Sequence, residues 1–101
     1  MKRLVRYKLK ADRVAENEGL VVKVFEELRR TQPPGLRYAT FRLDDGVSFM
    51  HLVSHEASDG SNALTGLASF KAFVAGIRER CEEPPVTVEL SEVGSYGFFD
   101  T

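Results

Sequence analysis

The sequence predicts one α+β domain over residues 1–101, with elements in the order βαββαβ. This is the ferredoxin-like, split-βαβ arrangement: a four-stranded antiparallel sheet with two helices on one face. Three observations point to it. Apolar and polar residues alternate in Lys2–Lys10 and Val86–Val93, and Leu36–Glu56 reads as two β-rich runs joined by a tight turn. Two intervening stretches carry apolar residues at helical spacing. Turn-forming pairs, Pro33-Pro34, Asp45-Gly46 and Pro84-Pro85, punctuate the boundaries. The right-handed crossover rule then gives strand order 4-1-3-2, with the first and third strands central.

The first strand, Lys2 to Lys10, points Arg3, Val5, Tyr7 and Leu9 one way and Lys2, Leu4, Arg6, Lys8 and Lys10 the other. Its basic face is expected to be solvated or ion-paired. Asp12 is the expected N-cap of a helix running to about Arg30, with Val21, Val24, Phe25 and Leu28 on one stripe. Gly19 weakens its first part, so the regular helix is expected to start near Gly19. Pro33-Pro34-Gly35 ends it.

Leu36 to Glu56 reads as a hairpin. Asp45-Gly46 suits a type I′ turn, with φ > 0 at both central residues. That choice pairs Arg42 with Phe49, Thr40 with His51, Tyr38 with Val53 and Leu36 with His55. One face carries Leu36, Tyr38, Thr40, Arg42, Val47, Phe49, His51, Val53 and His55. The other carries Arg37, Ala39, Phe41, Leu43, Ser48, Met50, Leu52 and Ser54. Neither is plainly polar, whereas a sheet solvated on one side alternates cleanly. The helices can cover one face; the expected cover for the other is a second copy of the protein. Which face meets the helices is left open, so His51 could lie in a pocket or between protomers.

Ala57 to Asn62 is expected to be a loop and Ala63 to Ala68 one or two helical turns. Ser69 is the expected cap of a second helix, Phe70 to about Arg80, with the stripe Phe70, Phe73, Val74, Ile77 and Cys81. Pro84-Pro85 is read as a stop, followed by the last strand, Val86 to Val93. Ser95 to Phe99 is an aromatic tail expected to fold onto the domain or onto a partner.

Composition bounds the function. A chain with 43% hydrophobic and 29% charged residues fits an ordinary globular domain. A net charge of −1 gives no reason to expect nucleic acid or a membrane surface as partner. No apolar run approaches the length of a membrane span, and the basic N-terminus lacks the apolar block of a signal peptide. The single cysteine, Cys81, cannot form an internal disulfide, so the expected setting is the reducing cytoplasm.

The stretches FMHLV, ALTGLASFKAFVAGI and VTVELSEVGSYG resemble the dimeric α/β-barrel superfamily, in particular its antibiotic-biosynthesis-monooxygenase-like domains. The resemblance is spread over most of the chain. It implies a homodimer in which two ferredoxin-like protomers pack sheet against sheet as a dimeric α+β barrel, with a pocket in each between sheet and helices. Such domains include cofactor-independent oxygenases acting on phenolic polyketides, haem-degrading enzymes and lactone isomerases. Tyr7 stands where the haem-degrading branch has a pocket asparagine, Gly66 about where it has a tryptophan, and Val74 about where it has an iron-ligating histidine. The resemblance therefore does not carry haem degradation to this chain. The tryptophan frequent in the oxygenase branch is also absent. Thr65-Gly66 stands where a histidine is common.

The candidate site residues are few. His51 is the candidate proton acceptor, because an imidazole titrates near neutrality. Tyr7 and Tyr38 are candidate donors to a phenolic or carbonyl ligand; the plainer alternative is core aromatics with rim hydroxyls. His55 shares the His51 face, and Arg42 could meet a ligand carboxylate, although a surface ion pair is the commoner role. His51 and His55 stand about 13 Å apart along a strand, too far to bind one metal together. No metal and no cofactor are expected. Cys81 beside Glu82 and Glu83 is a poor nucleophile, and Asp44-Asp45 are turn residues.

Two functions remain. One is a cofactor-free monooxygenase-like or isomerase-like enzyme acting on a small aromatic or carbonyl compound, with Tyr7, Tyr38 and His51 in its pocket. The other is a non-catalytic dimeric binding or stress-type module on the same scaffold. A cavity of roughly 300 Å³ or more, with His51 and a tyrosine pointing in, favours a ligand site; a filled interior favours the scaffold.

Overall fold

The computed structural model describes residues 1–55 and 63–98. Strand β1 (Lys2–Leu9) leads through a 3₁₀ turn (Ala11–Arg13) into helix α1 (Val14–Thr31). The hairpin β2 (Leu36–Arg42) and β3 (Ser48–His55) follows, then α2 (Ala68–Val74), the single turn α3 (Ile77–Arg80) and β4 (Cys81–Leu90). The four strands form one sheet of order β2-β3-β1-β4, antiparallel at every pairing, as the crossover rule requires.

The hairpin register is the one its sequence predicts: Arg42 opposite Phe49, Thr40 opposite His51, Tyr38 opposite Val53, Leu36 opposite His55. The turn differs. Gly46 has φ +79°, but Asp45 does not take positive φ. Gly46 N–H donates to the Leu43 carbonyl at 3.0 Å, which centres the turn on Asp44-Asp45. The Asp45 carboxylate explains the choice. It accepts from the Val47 and Ser48 amides at 3.0 and 2.8 Å and from the Ser48 hydroxyl at 2.6 Å. A type I′ turn would not offer the same fan of donors to one side chain.

The His51 face of the hairpin is the one the helices cover. Tyr7, Leu9, Phe49 and Val53 from the sheet meet Val21 and Val24 of α1, Leu64 and Phe73 in one buried cluster. The opposite face keeps Phe41, Val86 and Val88 substantially exposed.

Several helix boundaries depart from expectation. Asp12 is not an N-cap: it sits inside the 3₁₀ turn, where Arg13 N–H already finds the Lys10 carbonyl. Gly19 does not delay α1, which runs unbroken from Val14 because Asn17, Val21 and Val24 bury its inner stripe. The second helix is split. Ala75 leaves helical geometry and Gly76 adopts φ +77°, so α2 and α3 are separate pieces. Ser69 does not cap α2 either. The helix begins one residue earlier, and the Ser69 amide and hydroxyl both donate to the Glu27 carboxylate of α1. The expected loop Ala57 to Asn62 and Phe99 of the expected aromatic tail lie outside the described residues.

β4 is longer at its start than the prolines suggest and stops at Leu90, short of Val93. Cys81 is its first residue, opposite Leu9. Pro84 and Pro85 fall where the register against β1 shifts, on an edge strand whose outer side needs no partner. Beyond β4 the chain reaches β2, where Arg37 donates to the Phe98 carbonyl at 2.8 Å, while the Tyr96 ring stays exposed. Among the described residues no helix is long and apolar enough to cross a membrane.

Candidate functional site

Cross-strand geometry places the site. Tyr7 of β1, His51 of β3 and Tyr38 and Thr40 of β2 project from one face of three adjacent strands. Side chains displaced by two positions on neighbouring strands remain within reach of long aromatic groups. The Tyr7 hydroxyl lies 2.7 Å from His51 Nε2. The Tyr38 hydroxyl lies 2.6 Å and Thr40 Oγ1 2.9 Å from His51 Nδ1. Both ring nitrogens are thus engaged. Phe73 of α2 closes over the imidazole at a centroid distance of 5.2 Å.

The network extends through the core. Asn17 of α1, fully buried, donates from Nδ2 to the Tyr7 oxygen at 2.9 Å. Arg80 of α3 donates from Nε to Asn17 Oδ1 at 3.1 Å. The same guanidinium donates to the Phe73 and Ala75 carbonyls at 2.6 and 3.1 Å, closing off the end of α2. The left-handed Gly76 is what turns the chain back so that Arg80 can do this. Arg80, Asn17, Tyr7, His51 and Tyr38 therefore form one continuous hydrogen-bonded line beneath the helices.

Burial sets the protonation states. It lowers the His51 pKa to about 4, so the imidazole is neutral at physiological pH. It pushes the Tyr38 phenol up to about 12 and raises that of Tyr7 further, against the opposing effect of the Asn17 hydrogen bond. The resting site is two protonated phenols around a neutral imidazole.

Beside this line lies a cavity of about 260 Å³ between sheet and helices, somewhat under the size that small-molecule pockets usually reach. Tyr38, His51, Val53, Phe70, Phe73 and Ile77 contribute to its wall, which is overwhelmingly apolar. Arg3 and His55 border it too. Among the described residues His55 Nε2 is buried without a hydrogen-bond partner, and burial lowers its pKa. Arg3 lies 3.7 Å from Glu89. Arg42 is not brought to this cavity: it pairs with Glu18 at 2.7 Å on the surface. Among the described residues no three His, Cys, Asp or Glu side chains gather as a metal site.

The fold has known counterparts. A proposed antibiotic biosynthesis monooxygenase from Caulobacter crescentus CB15 superposes with a TM-score of 0.74 at 20% identity, covering 92% of this chain and 89% of that one. Another from Nitrosomonas europaea gives 0.75 at 16% identity, covering 95% and 92%. SnoaB, a cofactor-independent oxygenase from Streptomyces nogalater, gives 0.62 at 15% identity, covering 91% and 93%. The chain has the fold of the antibiotic biosynthesis monooxygenase domains. No protein-family model and no curated protein matches it. At these identities the likeness shows the fold alone.

Within that monooxygenase-type fold, Asn17 and Arg80 are the site residues that sequence reasoning missed. A signal existed. Asn17 falls on the stripe of Val21 and Val24, and Arg80 falls at helical spacing from Phe73 and Ile77. A polar residue on a buried stripe needs a buried partner. Thr40 was placed opposite His51 by the register but given no role. Cys81 is a weak nucleophile because burial raises its pKa; the neighbouring Glu82 and Glu83 are not the cause.

Proposed function

We propose that the cavity takes a small, largely apolar aromatic or carbonyl compound, with one oxygen of the ligand at the Tyr38 hydroxyl. The reaction class is cofactor-independent and monooxygenase-like or isomerase-like. The observation that carries this reading is a mostly apolar cavity with a polar cluster on one wall, where Tyr38 and His51 are hydrogen-bonded at 2.6 Å. A neutral imidazole with both nitrogens engaged is a weak direct base, so in this proposal His51 acts by holding Tyr38, and Tyr38 touches the ligand. An oxygen-dependent version binds the ligand already ionised in solution, as its electron-rich oxyanion, and the ligand supplies all the electrons that reduce O₂, one oxygen atom entering the product as a carbonyl and the other leaving as water; an isomerase-like version relocates a proton within such a ligand with no net change of oxidation state. The structural likeness to a cofactor-independent oxygenase supports the first.

The second reading, a non-catalytic binding module, is favoured by the absence of tryptophan and by Thr65-Gly66 at the short helical turn. Incubation with a panel of phenols, with oxygen uptake and product analysis as readouts, separates them. Turnover that disappears in Tyr38→Phe supports the enzyme. Saturable binding without turnover supports the module, and neither result refutes a ligand role for the cavity.

In the same proposal the protein is a homodimer joined through its sheet faces. Exposed Val86 and Val88 at one edge and Phe41 at the other support a cover over the helix-free side.

A further inference from the structure

We propose that Arg80 and Asn17 act as positioning residues that fix the direction of every hydrogen bond in the line, so that Tyr38 meets the cavity as a donor and the ligand oxygen it takes is an acceptor. This rests on the cavity being a ligand site, as proposed above; the hydrogen-bond direction itself does not.

The direction follows from which groups can only give. An arginine has five N–H donors and no acceptor. Its Nε therefore faces the amide oxygen of Asn17, and the amide nitrogen must face Tyr7. The Tyr7 oxygen thus accepts. Tyr7 is 2% exposed, so its own proton needs a buried acceptor. His51 Nε2, at 2.7 Å, provides it. A neutral imidazole has one N–H, and with Nε2 accepting, that hydrogen sits on Nδ1. Nδ1–H then donates to the Tyr38 and Thr40 oxygens at 2.6 and 2.9 Å. Tyr38 accepts from behind and also shares a hydrogen bond with Thr40; with Thr40 as the donor in it, the Tyr38 hydroxyl hydrogen is left for whatever occupies the cavity. The favoured ligand is planar and carries a carbonyl or oxyanion oxygen. A ligand that offers only an N–H or O–H donor meets no acceptor at this cluster.

Asn17→Asp tests the direction with an almost isosteric change. The carboxylate keeps Arg80 but turns from donor to acceptor toward Tyr7. Tyr7 then donates to position 17 and accepts from His51, which moves the ring hydrogen to Nε2. Long-range ¹H–¹⁵N NMR of the ligand-free chain at neutral pH, with His55→Gln to assign the second imidazole, reads the tautomer directly. The expected result is Nδ1–H in the wild type and Nε2–H in Asn17→Asp. Nε2–H in the wild type overturns the proposal, whether or not the variant folds. A folded Asn17→Asp that retains Nδ1–H overturns it as well.

Binding supplies the second readout. Acetophenone and indole have similar size and no charge; the first only accepts at its oxygen and the second only donates at its nitrogen. The wild type is expected to bind acetophenone at least tenfold more tightly, and Asn17→Asp to narrow or invert that ratio. Indole binding as tightly as acetophenone to the wild type overturns the proposal. If neither binds, the ligand reading of the cavity fails with its acceptor preference, and the tautomer measurement alone upholds or overturns the relay.

Discussion

The Tyr38 hydroxyl and His51 Nδ1 stand 2.6 Å apart, on neighbouring strands whose register brings Thr40, not Tyr38, directly opposite the histidine. The diagonal reach lets one imidazole hold two hydroxyls and leaves Tyr38 at the edge of the cavity.

Tyr38→Phe removes that hydroxyl with little loss of packing, since Phe25 stacks on the ring at 5.2 Å regardless. Nδ1–H keeps Thr40 as an acceptor, so stability should change by less than about 1 kcal/mol. Affinity for a carbonyl ligand should fall about tenfold, the worth of one buried hydrogen bond, in a calorimetric titration.

Acid should weaken the fold through His51. Its pKa is near 6.5 in the unfolded chain and about 4 in the folded one. The unfolded chain therefore binds the additional proton between these values. The contribution of neutral His51 is intact above pH 6.5, declines as pH falls toward 4, and is gone below that, a swing of about 3 kcal/mol. His55 shifts in the same direction, so the measurement is the difference between wild type and His51→Gln in urea unfolding at pH 7 and pH 4.5. The same dependence in both proteins would sink the prediction.

The two helical-segment glycines should respond oppositely to alanine. Gly19 lies exposed inside α1 with open space where a methyl group would stand, so Gly19→Ala should stabilise by about 0.5–1 kcal/mol. Gly76 has φ +77°, and Gly76→Ala should cost about 1 kcal/mol or more through backbone strain alone. Thermal and urea denaturation check both.

Val88, 48% exposed beside Leu4 on the helix-free face, tests the assembly. Sedimentation equilibrium of the wild type at micromolar concentration should give a dimer. Val88→Asp should give a monomer with an unchanged far-ultraviolet dichroism spectrum. A monomeric wild type removes the proposed assembly.

The hairpin was legible because a period of two and one tight turn leave a single register that puts Phe49, His51 and Val53 on the same side. The turn type was not, since it depends on where the Asp45 carboxylate finds its donors. The second helix read as continuous because its stripe hardly changes across Ala75 and Gly76. The break becomes visible only once Arg80 is seen bonding back to Phe73 and Ala75. The candidate site was half legible: Tyr7, Tyr38 and His51 are near neighbours across strands. Asn17 and Arg80 come from α1 and α3, and only tertiary packing brings them together. Arg42 was placed on the correct face of β2 but too close to the turn to reach the cavity.

Pro84 and Pro85 occupy the outer strand of the sheet, and neither has an amide hydrogen. Amides along a strand face its two sides alternately, so one of the two prolines leaves a gap in the ladder of main-chain donors that a further strand docking along that margin would meet. The prolines thus guard this border against open-ended growth, the route by which unpaired strands recruit one another into aggregates.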